Sequence, residues 1–382
     1  MPYDIQPVTA PEWMRGFVCL ARDCPETCCQ QWNVDVDPDH AKSLRALDDP
    51  EIQSIMNGLL RTFRVRHAGK PAEEVHRLML LNQPNRRCPF LNEFTECRLQ
   101  RKYGADVLCH TCYFHPRAFW QIDEAYSLSA CLSCYECARL AVTNQSPTTF
   151  AKFNAEIDPE ADWLETAMIV DNSTRELLRH RDEILGEEIA ILQDRTRSID
   201  ERVKSAADFL MPGVAKTYAD ETEHMRALAE IIAPVNESLE KPALAADALL
   251  WKIAGGTEDC FAVLGRNYSA GQRIYRDFLD THSYMEENFL VHCVFSDGLK
   301  EFARYETESV SADEIRRHEA ALLLVWHETL RAVMGQTALF NGGMTETLFL
   351  DTVIHTDRDF WHYPAWCSRA ADRAASRAKS GE

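Results

Sequence analysis

The stretch Cys19-Leu-Ala-Arg-Asp-Cys24-Pro-Glu-Thr-Cys28-Cys29 puts four thiols into eleven residues, and two further runs extend it. One is Cys88-PFLNEFTE-Cys97; the other is Cys109-HT-Cys112 followed by Cys131-LS-Cys134-YE-Cys137. Eleven of the fourteen cysteines fall in this first part of the chain, leaving Cys260, Cys293 and Cys367 for the rest. A free thiol is easily oxidised, so thiols gathered in one region point to a metal ion, a cluster or a disulfide framework. Short gaps let neighbouring thiolates converge on one centre, and long gaps let separate turns meet across a fold. In Cys28-Cys29 successive side chains diverge on an extended backbone, so one thiol is expected to ligate while the other packs or serves a second site.

Compartment separates these readings. The opening MPYDIQPVTAPEWMRGF has no basic segment followed by an apolar one, so no secretory signal is read and a cytoplasmic protein is expected. No run of about 18 apolar residues occurs, so no membrane span is expected. Cytoplasmic thiols are kept reduced, which favours ligation over disulfides. The formal charge of −19 over 382 residues repels phosphate backbones and argues against a nucleic-acid partner. Four thiolates close a structural zinc site and four hold an iron–sulfur cluster, so spacing leaves iron–sulfur and zinc both open. Cys24-x3-Cys28 begins a C-x3-C-x2-C loop, but Gln31 stands where its third cysteine would fall. No glycine-rich phosphate loop follows a strand, and Gly255-Gly256 reads as a helix stop.

The pattern predicts an α+β fold, mostly α, in two regions. Residues 1–145 form a small cysteine-rich domain with short strands, and residues 146–382 form a large domain that reads as nearly all helix. The join falls at the polar cluster Thr143-Asn144-Gln145-Ser146-Pro147. Asp37-Pro38 starts a helix, residues 61–66 and 74–81 read as strands, and 117–122 with 125–130 read as a hairpin around Asp123-Glu124. Residues 134–143 read as a helix, and Tyr103-Gly104 ends the helix after Cys97. Ser173-x-x-Glu176 and Ser311-x-x-Glu314 are capping boxes. Helical periodicity covers 173–193, 197–210, 218–232, 236–254, 270–304 and 311–335, and the tail RAADRAASRAKSGE reads as frayed or disordered.

In this order the motifs resemble the flagellin lysine-N-methylases of the FliB type, whose cysteine-rich portion is related to YkgJ-like zinc- or iron-chelating proteins. The likeness rests on CLARDCPETCCQQWNVDVD, CPFLNEFTECRLQRKYG, HTCYFHPR and LSCYECARL, with a weaker match in EENFLVHCVFSDGLKEF at 286–302. It implies Cys19, Cys24, Cys28, Cys29, Cys88, Cys97, Cys112 and Cys134 as metal ligands, with Cys109, Cys131 and Cys137 as additions of this chain. Trp32, Arg117, Glu136 and Arg139 also fall on recurrent positions. Trp32 suits stacking on a cofactor or a place in the core. Arg117 suits the carboxylate of S-adenosylmethionine or a salt bridge to Glu136. His110 and His115 flank Cys112 as substitute ligands. The chain departs from the family pattern at Ala21, His115 and Tyr135.

The implied activity is methyl transfer from S-adenosylmethionine to lysine side chains of flagellin, with a cysteine-ligated [4Fe–4S] cluster. The alternatives are a non-catalytic zinc- or iron-binding protein and a zinc-stabilised interaction module.

Overall fold

The computed structural model describes residues 3–65, 73–83, 85–122, 125–157, 165–167, 177, 179–216, 218–232, 260–299, 311–358 and 364–380. In chain order the strands are β1 (Asp4–Pro11), β2 (Val34–Val36), β3 (Leu60–Val65), β4 (Glu73–Leu78), β5 (Arg117–Ile122), β6 (Ala125–Ala130), β7 (Phe150–Ile157) and β8 (Glu165–Ala167). The first helices are α1 (Pro38–Ala46), α2 (Pro50–Leu59), α3 (Arg98–Tyr103), α4 (His110–Phe114) and α5 (Tyr135–Val142). Then come α6 (Arg181–Leu192), α7 (Ile199–Leu210), α8 (Glu221–Ile232), α9 (Cys260–Asp297), α10 (Ala312–Asn341), α11 (Glu346–Thr356) and α12 (Pro364–Ser380). The fold is α+β and mostly helical. It divides into two compact units: Met1–Tyr3, Val18–Ala118 and Cys134–Glu136 make the first, and Asp4–Phe17, Phe119–Ser133 and Cys137–Glu382 the second.

The first unit is built on an antiparallel sheet in the order β2-β4-β3, with Leu78 opposite both Val34 and Leu60. Two Asp-Pro pairs start its helices. Asp37 accepts the His40 N–H at 3.0 Å, and Asp49 accepts those of Glu51 and Ile52, so donors orphaned at each N-terminus find a carboxylate. The buried faces of α1 and α2 (Leu44, Ile52, Met56, Leu59) meet Val34, Val36, Leu78 and Phe90 in one apolar core. Gly104, with φ +88°, takes the backbone conformation that stops α3 after Tyr103.

The second unit carries a mixed five-stranded sheet in the order β7-β1-β6-β5-β8. β1 runs antiparallel to β7 and parallel to β6, with Val8 opposite Phe153 and Tyr126. Two of these strands correct the expectation that 146–382 is nearly all helix, because β7 and β8 both fall in it. β7 is FAKFNAEI, a short alternating pattern beside much longer helical signals. β1 forms although Pro7 and Pro11 each remove a ladder donor, which argues against a strand in the sequence alone. The parallel register with β6 is confined to Val8 and Thr9, so the prolines fall outside it.

The expected helices at 197–210, 218–232 and 311–335 appear as α7, α8 and α10. A full capping box, Ser311 with Glu314, begins α10, and a second one, Ser198 with Glu201, begins α7. The helix expected at 270–304 starts earlier, as α9, and holds a non-helical residue at His282. The tail is not frayed: residues through Ser380 are helical in α12, Ala370 and Ala371 are buried, and Arg373 donates to the carbonyls of Glu230 and Ile231 at 3.1 Å. Ser173–Glu176, 236–254, Gly255-Gly256 and Asp123-Glu124 lie outside the described residues.

Helices α9 and α10 meet backbone to backbone at a pair of glycines, Gly271 and Gly335. A methyl group on Gly271 would stand 2.2 Å from the Gly335 carbonyl oxygen, which is backbone and cannot rotate away. Gly271→Ala is therefore expected to lower stability by about 2–3 kcal/mol through overpacking. Gly186→Ala, at an exposed position in α6 with open space around it, is expected to be neutral or to stabilise by about 0.5–1 kcal/mol. Urea denaturation of both variants checks the contrast; equal effects would remove the close approach as its cause.

Candidate metal centre

The thiols of the first unit sit on loops held by backbone pairing. After the short 3-10 turn Ala21–Asp23, the Cys24 thiol donates to the Glu26 carbonyl at 3.1 Å. Gln30 bridges to Arg87, and the Cys88 N–H donates to the Cys29 carbonyl at 2.9 Å, which fastens the 28–31 turn to the 86–88 turn. The loop between Cys88 and Cys97 closes on itself. Leu91 pairs with Cys97, and the Asn92 side chain accepts the N–H groups of Phe94 and Glu96 at 2.9 Å. Cys97 and Cys109 are the residues that cap α3 and α4.

The eight cysteines singled out from the sequence, Cys19, Cys24, Cys28, Cys29, Cys88, Cys97, Cys112 and Cys134, all lie in this unit. Cys134 enters it through the three-residue segment Cys134–Glu136, whose neighbours on both sides belong to the other unit. Cys109 belongs with them as well. It is buried against the same apolar core that Cys88 and Cys97 border, and it hydrogen-bonds with Cys112. Its burial there suits an addition of this chain that packs in the core. Cys131 and the fully buried Cys137 lie in the second unit. No disulfide joins cysteines among the described residues.

The thiols perturb one another. The hydrogen bond between Cys28 and Cys29, with burial, holds the Cys28 thiol well above the usual range, and the same bond carries Cys29 down to about 7. Burial pushes Cys88 up to about 12, with the neighbouring Cys29 and Cys97 adding to the rise. Burial likewise raises Cys24 and Cys97. The bond between Cys109 and Cys112 lowers the first and raises the second. Crowded, half-buried thiols resist ionising together unless a cation offsets their charge. Soft sulfur donors of this kind suit zinc or an iron–sulfur cluster, so the donor set fits either group.

A second arrangement lies beside Cys109. Ligand atoms of Asp37, His40 and His110 all come within 4.8 Å of one another. His40 Nδ1 stands 2.7 Å from Asp37 Oδ1, and the His110 N–H donates to Asp37 Oδ2 at 3.0 Å. His110 thus belongs with a carboxylate and a second imidazole. His115 packs edge-on against Trp32 at 5.4 Å and precedes a cis peptide bond to Pro116. Trp32 borders the apolar core, half-buried. Arg117 opens β5, also half-buried, and Glu136 is buried, both within the first unit; Arg139 is exposed in the second.

The stretch at 286–302 carries buried charge. Glu286, Glu287 and Asn288 are all buried on α9. Arg331 donates to Glu286 at 2.6 Å, while Arg195 and Arg202 both donate to Glu287. Two adjacent glutamates inside an otherwise apolar run were the visible sign. Residues 300–310 lie outside the described residues.

Over 131 residues, 34% of its length, the chain is 30% identical to the flagellar biosynthetic protein FliU of Salmonella muenchen, and the match covers 73% of that protein. The chain belongs to the FliB-type lysine-N-methylase family. It is also 30% identical over 131 residues to lysine-N-methylases of Salmonella typhimurium and Salmonella choleraesuis, spanning 31% of the length of each. No protein-family model matches the chain, and no solved structure does. Among the described residues, no helix is long and apolar enough to cross a membrane.

Proposed function

We propose that this member of the FliB-type family is an S-adenosylmethionine-dependent protein-lysine N-methyltransferase that acts on flagellin in the cytoplasm and carries a cysteine-ligated [4Fe–4S] cluster. The likeness to lysine-N-methylases carries the activity. The nine cysteines of the first unit, none of them in a disulfide, support the cluster, with Cys19, Cys24, Cys28, Cys29, Cys88, Cys97, Cys112 and Cys134 as its candidate ligands.

Methyl transfer forms a bond from the lysine nitrogen to carbon and breaks the bond from carbon to the sulfonium, whose sulfur keeps the electron pair. The nitrogen then releases a proton. Only roughly one lysine in 2,500 is neutral at pH 7, so the protein must desolvate the amine or place a base beside it. An iron–sulfur cluster, when bound, would brace the unit, anchor the methionine part of the cofactor or supply an electron. Trp32, half-buried at the edge of the first unit's core, is proposed to stack on the cofactor, and Arg117 to bind its carboxylate.

The test is an anaerobic absorption spectrum before and after dithionite, followed by transfer of labelled methyl groups to purified flagellin. A broad brown band that bleaches, with label on flagellin lysines, is the expected result. A colourless protein that holds zinc after iron and sulfide reconstitution, and leaves flagellin unlabelled, would overturn the reading in favour of a zinc-stabilised interaction module.

A further inference from the structure

We propose that Asp37, His40 and His110 hold a divalent first-row metal ion, at a site of nitrogen and oxygen donors separate from the thiols. Asp37 precedes α1, His40 lies in the first turn of that helix and His110 opens α4, all within the first unit. Their ligand atoms come within 4.8 Å of one another. The inference rests on this geometry and needs neither the cluster nor methyl transfer.

One carboxylate positions both histidines. Asp37 Oδ1 accepts the His40 N–H at 3.0 Å and Oδ2 accepts the His110 N–H at 3.0 Å, so the starts of α1 and α4 share an anchor. The Thr111 hydroxyl donates to the Asp35 carbonyl at 2.8 Å and ties α4 to β2 beside it. Capping α1 requires only the backbone bond to His40; it does not require two imidazole rings at the same carboxylate. Yet His40 Nδ1 stands 2.7 Å from Oδ1, and His110 Nδ1 stands 3.9 Å from Oδ2. The two rings meet edge to face with centroids 5.1 Å apart, and Tyr3 and Phe114 pack edge-on against His110 at 6.1 and 6.4 Å. Side-chain exposure is 12% for His40, 11% for His110 and 18% for Asp37, so all three groups are largely withdrawn from water.

Donor chemistry sets this site apart from the thiols. Two imidazoles and a carboxylate suit Mn2+, Fe2+, Co2+ or Zn2+, whereas thiolates select zinc or an iron–sulfur centre. Metal bonds of about 2.0–2.2 Å keep two ligands of one ion within about 4.4 Å of each other, so small rotations of the rings close the set. Without an ion the 2.7 Å contact between His40 and Asp37 is a hydrogen bond; coordination exchanges it for bonds from both groups to the metal. Three protein ligands leave coordination positions for water or for an oxygen-bearing ligand, as in sites that bind and activate rather than only brace.

The test uses the full-length protein, reconstituted anaerobically with iron and sulfide and then dialysed against EDTA to strip weakly held ions. Mn2+, which sulfur donors take poorly, is titrated in and followed by loss of the free-ion electron paramagnetic resonance signal; Co2+ is titrated separately by calorimetry. The wild type is expected to bind a single ion per chain, and His40→Gln and Asp37→Asn to weaken that binding at least about tenfold. Asp37→Asn keeps a capping oxygen, so the start of α1 survives, and His40 is remote in sequence from every cysteine of the unit. Both variants should keep the far-UV circular dichroism and the iron and sulfide content of the wild type. Failure of the wild type to bind either ion stoichiometrically, or equal binding by His40→Gln, would overturn the site. Loss of iron and sulfide from a folded His40→Gln would overturn its separation from the thiols. Ion binding and cluster content are separate readouts, so failure here is distinct from failure of the cluster or of the activity.

Discussion

Glu287→Gln is expected to be among the most destabilising single changes in the helical unit. Glu287 is fully buried, with Arg195 donating to both its oxygens at 2.8 and 2.9 Å and Arg202 donating at 2.6 Å. Arg195 is partly exposed and can turn to water, but Arg202 is 2% exposed and cannot. Neutralising the carboxylate leaves a buried guanidinium without its anion, which costs about 3–5 kcal/mol. For a unit of this size that corresponds to a melting temperature lower by roughly 10 °C. The double change Glu287→Leu/Arg202→Met removes both charges and should recover much of the loss, because the desolvation cost of the pair goes with it. Thermal melts of the two variants separate the cases; a double variant no more stable than Glu287→Gln would show that packing, not charge, sets the penalty.

The second large effect is a dependence on pH centred on His327. Its Nε2 stands 3.2 Å from Glu286 Oε1 and 3.4 Å from Asp200 Oδ1. Burial alone would push the imidazole down and Arg331 opposes its charge, but the two carboxylates prevail and carry it up to about 9. Asp200 is held near 2 by His327 and Arg331 against burial; Glu286 and Glu328 are also depressed despite burial, so these carboxylates stay charged across neutral pH. A histidine raised from its unfolded value near 6.5 binds its proton more tightly when folded. Its contribution is therefore complete below about pH 6.5 and is lost as pH rises through about 9, a total of about 3 kcal/mol. Urea denaturation between pH 6 and 9.5 should show stability falling across that window in the wild type and much less in His327→Gln. Parallel curves would mean that the folded protein holds His327 neutral.

Both effects lie on α9, α7 and α10, away from the thiols in sequence, and both concern residues whose partners no local pattern names. His327 gives the plainest case. From the sequence it is a histidine on a long apolar helix, and a solvent or core role is all its spacing supports. The fold places Glu286 from α9 and Asp200 from α7 against it, 41 and 127 positions away in the chain.

What the sequence by itself determined is what depends on neighbours in the chain. Asp37-Pro38 and Ser311-x-x-Glu314 start helices because a side chain satisfies N–H groups two or three residues on, and Gly104 stops one because it tolerates positive φ. The strands near 61–66, 74–81, 117–122 and 125–130, and the concentration of cysteines in one unit, were legible for the same reason. Tertiary structure decided the remainder. It made a strand of the proline-bearing segment Asp4–Pro11 by offering β7 and β6 as partners, and an ordered helix of the tail by burying Ala370 and Ala371. It brought Cys109 and the distant Cys134 to the other thiols, and it set Glu287 between two arginines. Side-chain spacing fixes which residues are able to meet within a turn or a strand. Which thiols and charges meet across the fold depends on burial and register, and those exist only once the chain has closed on itself.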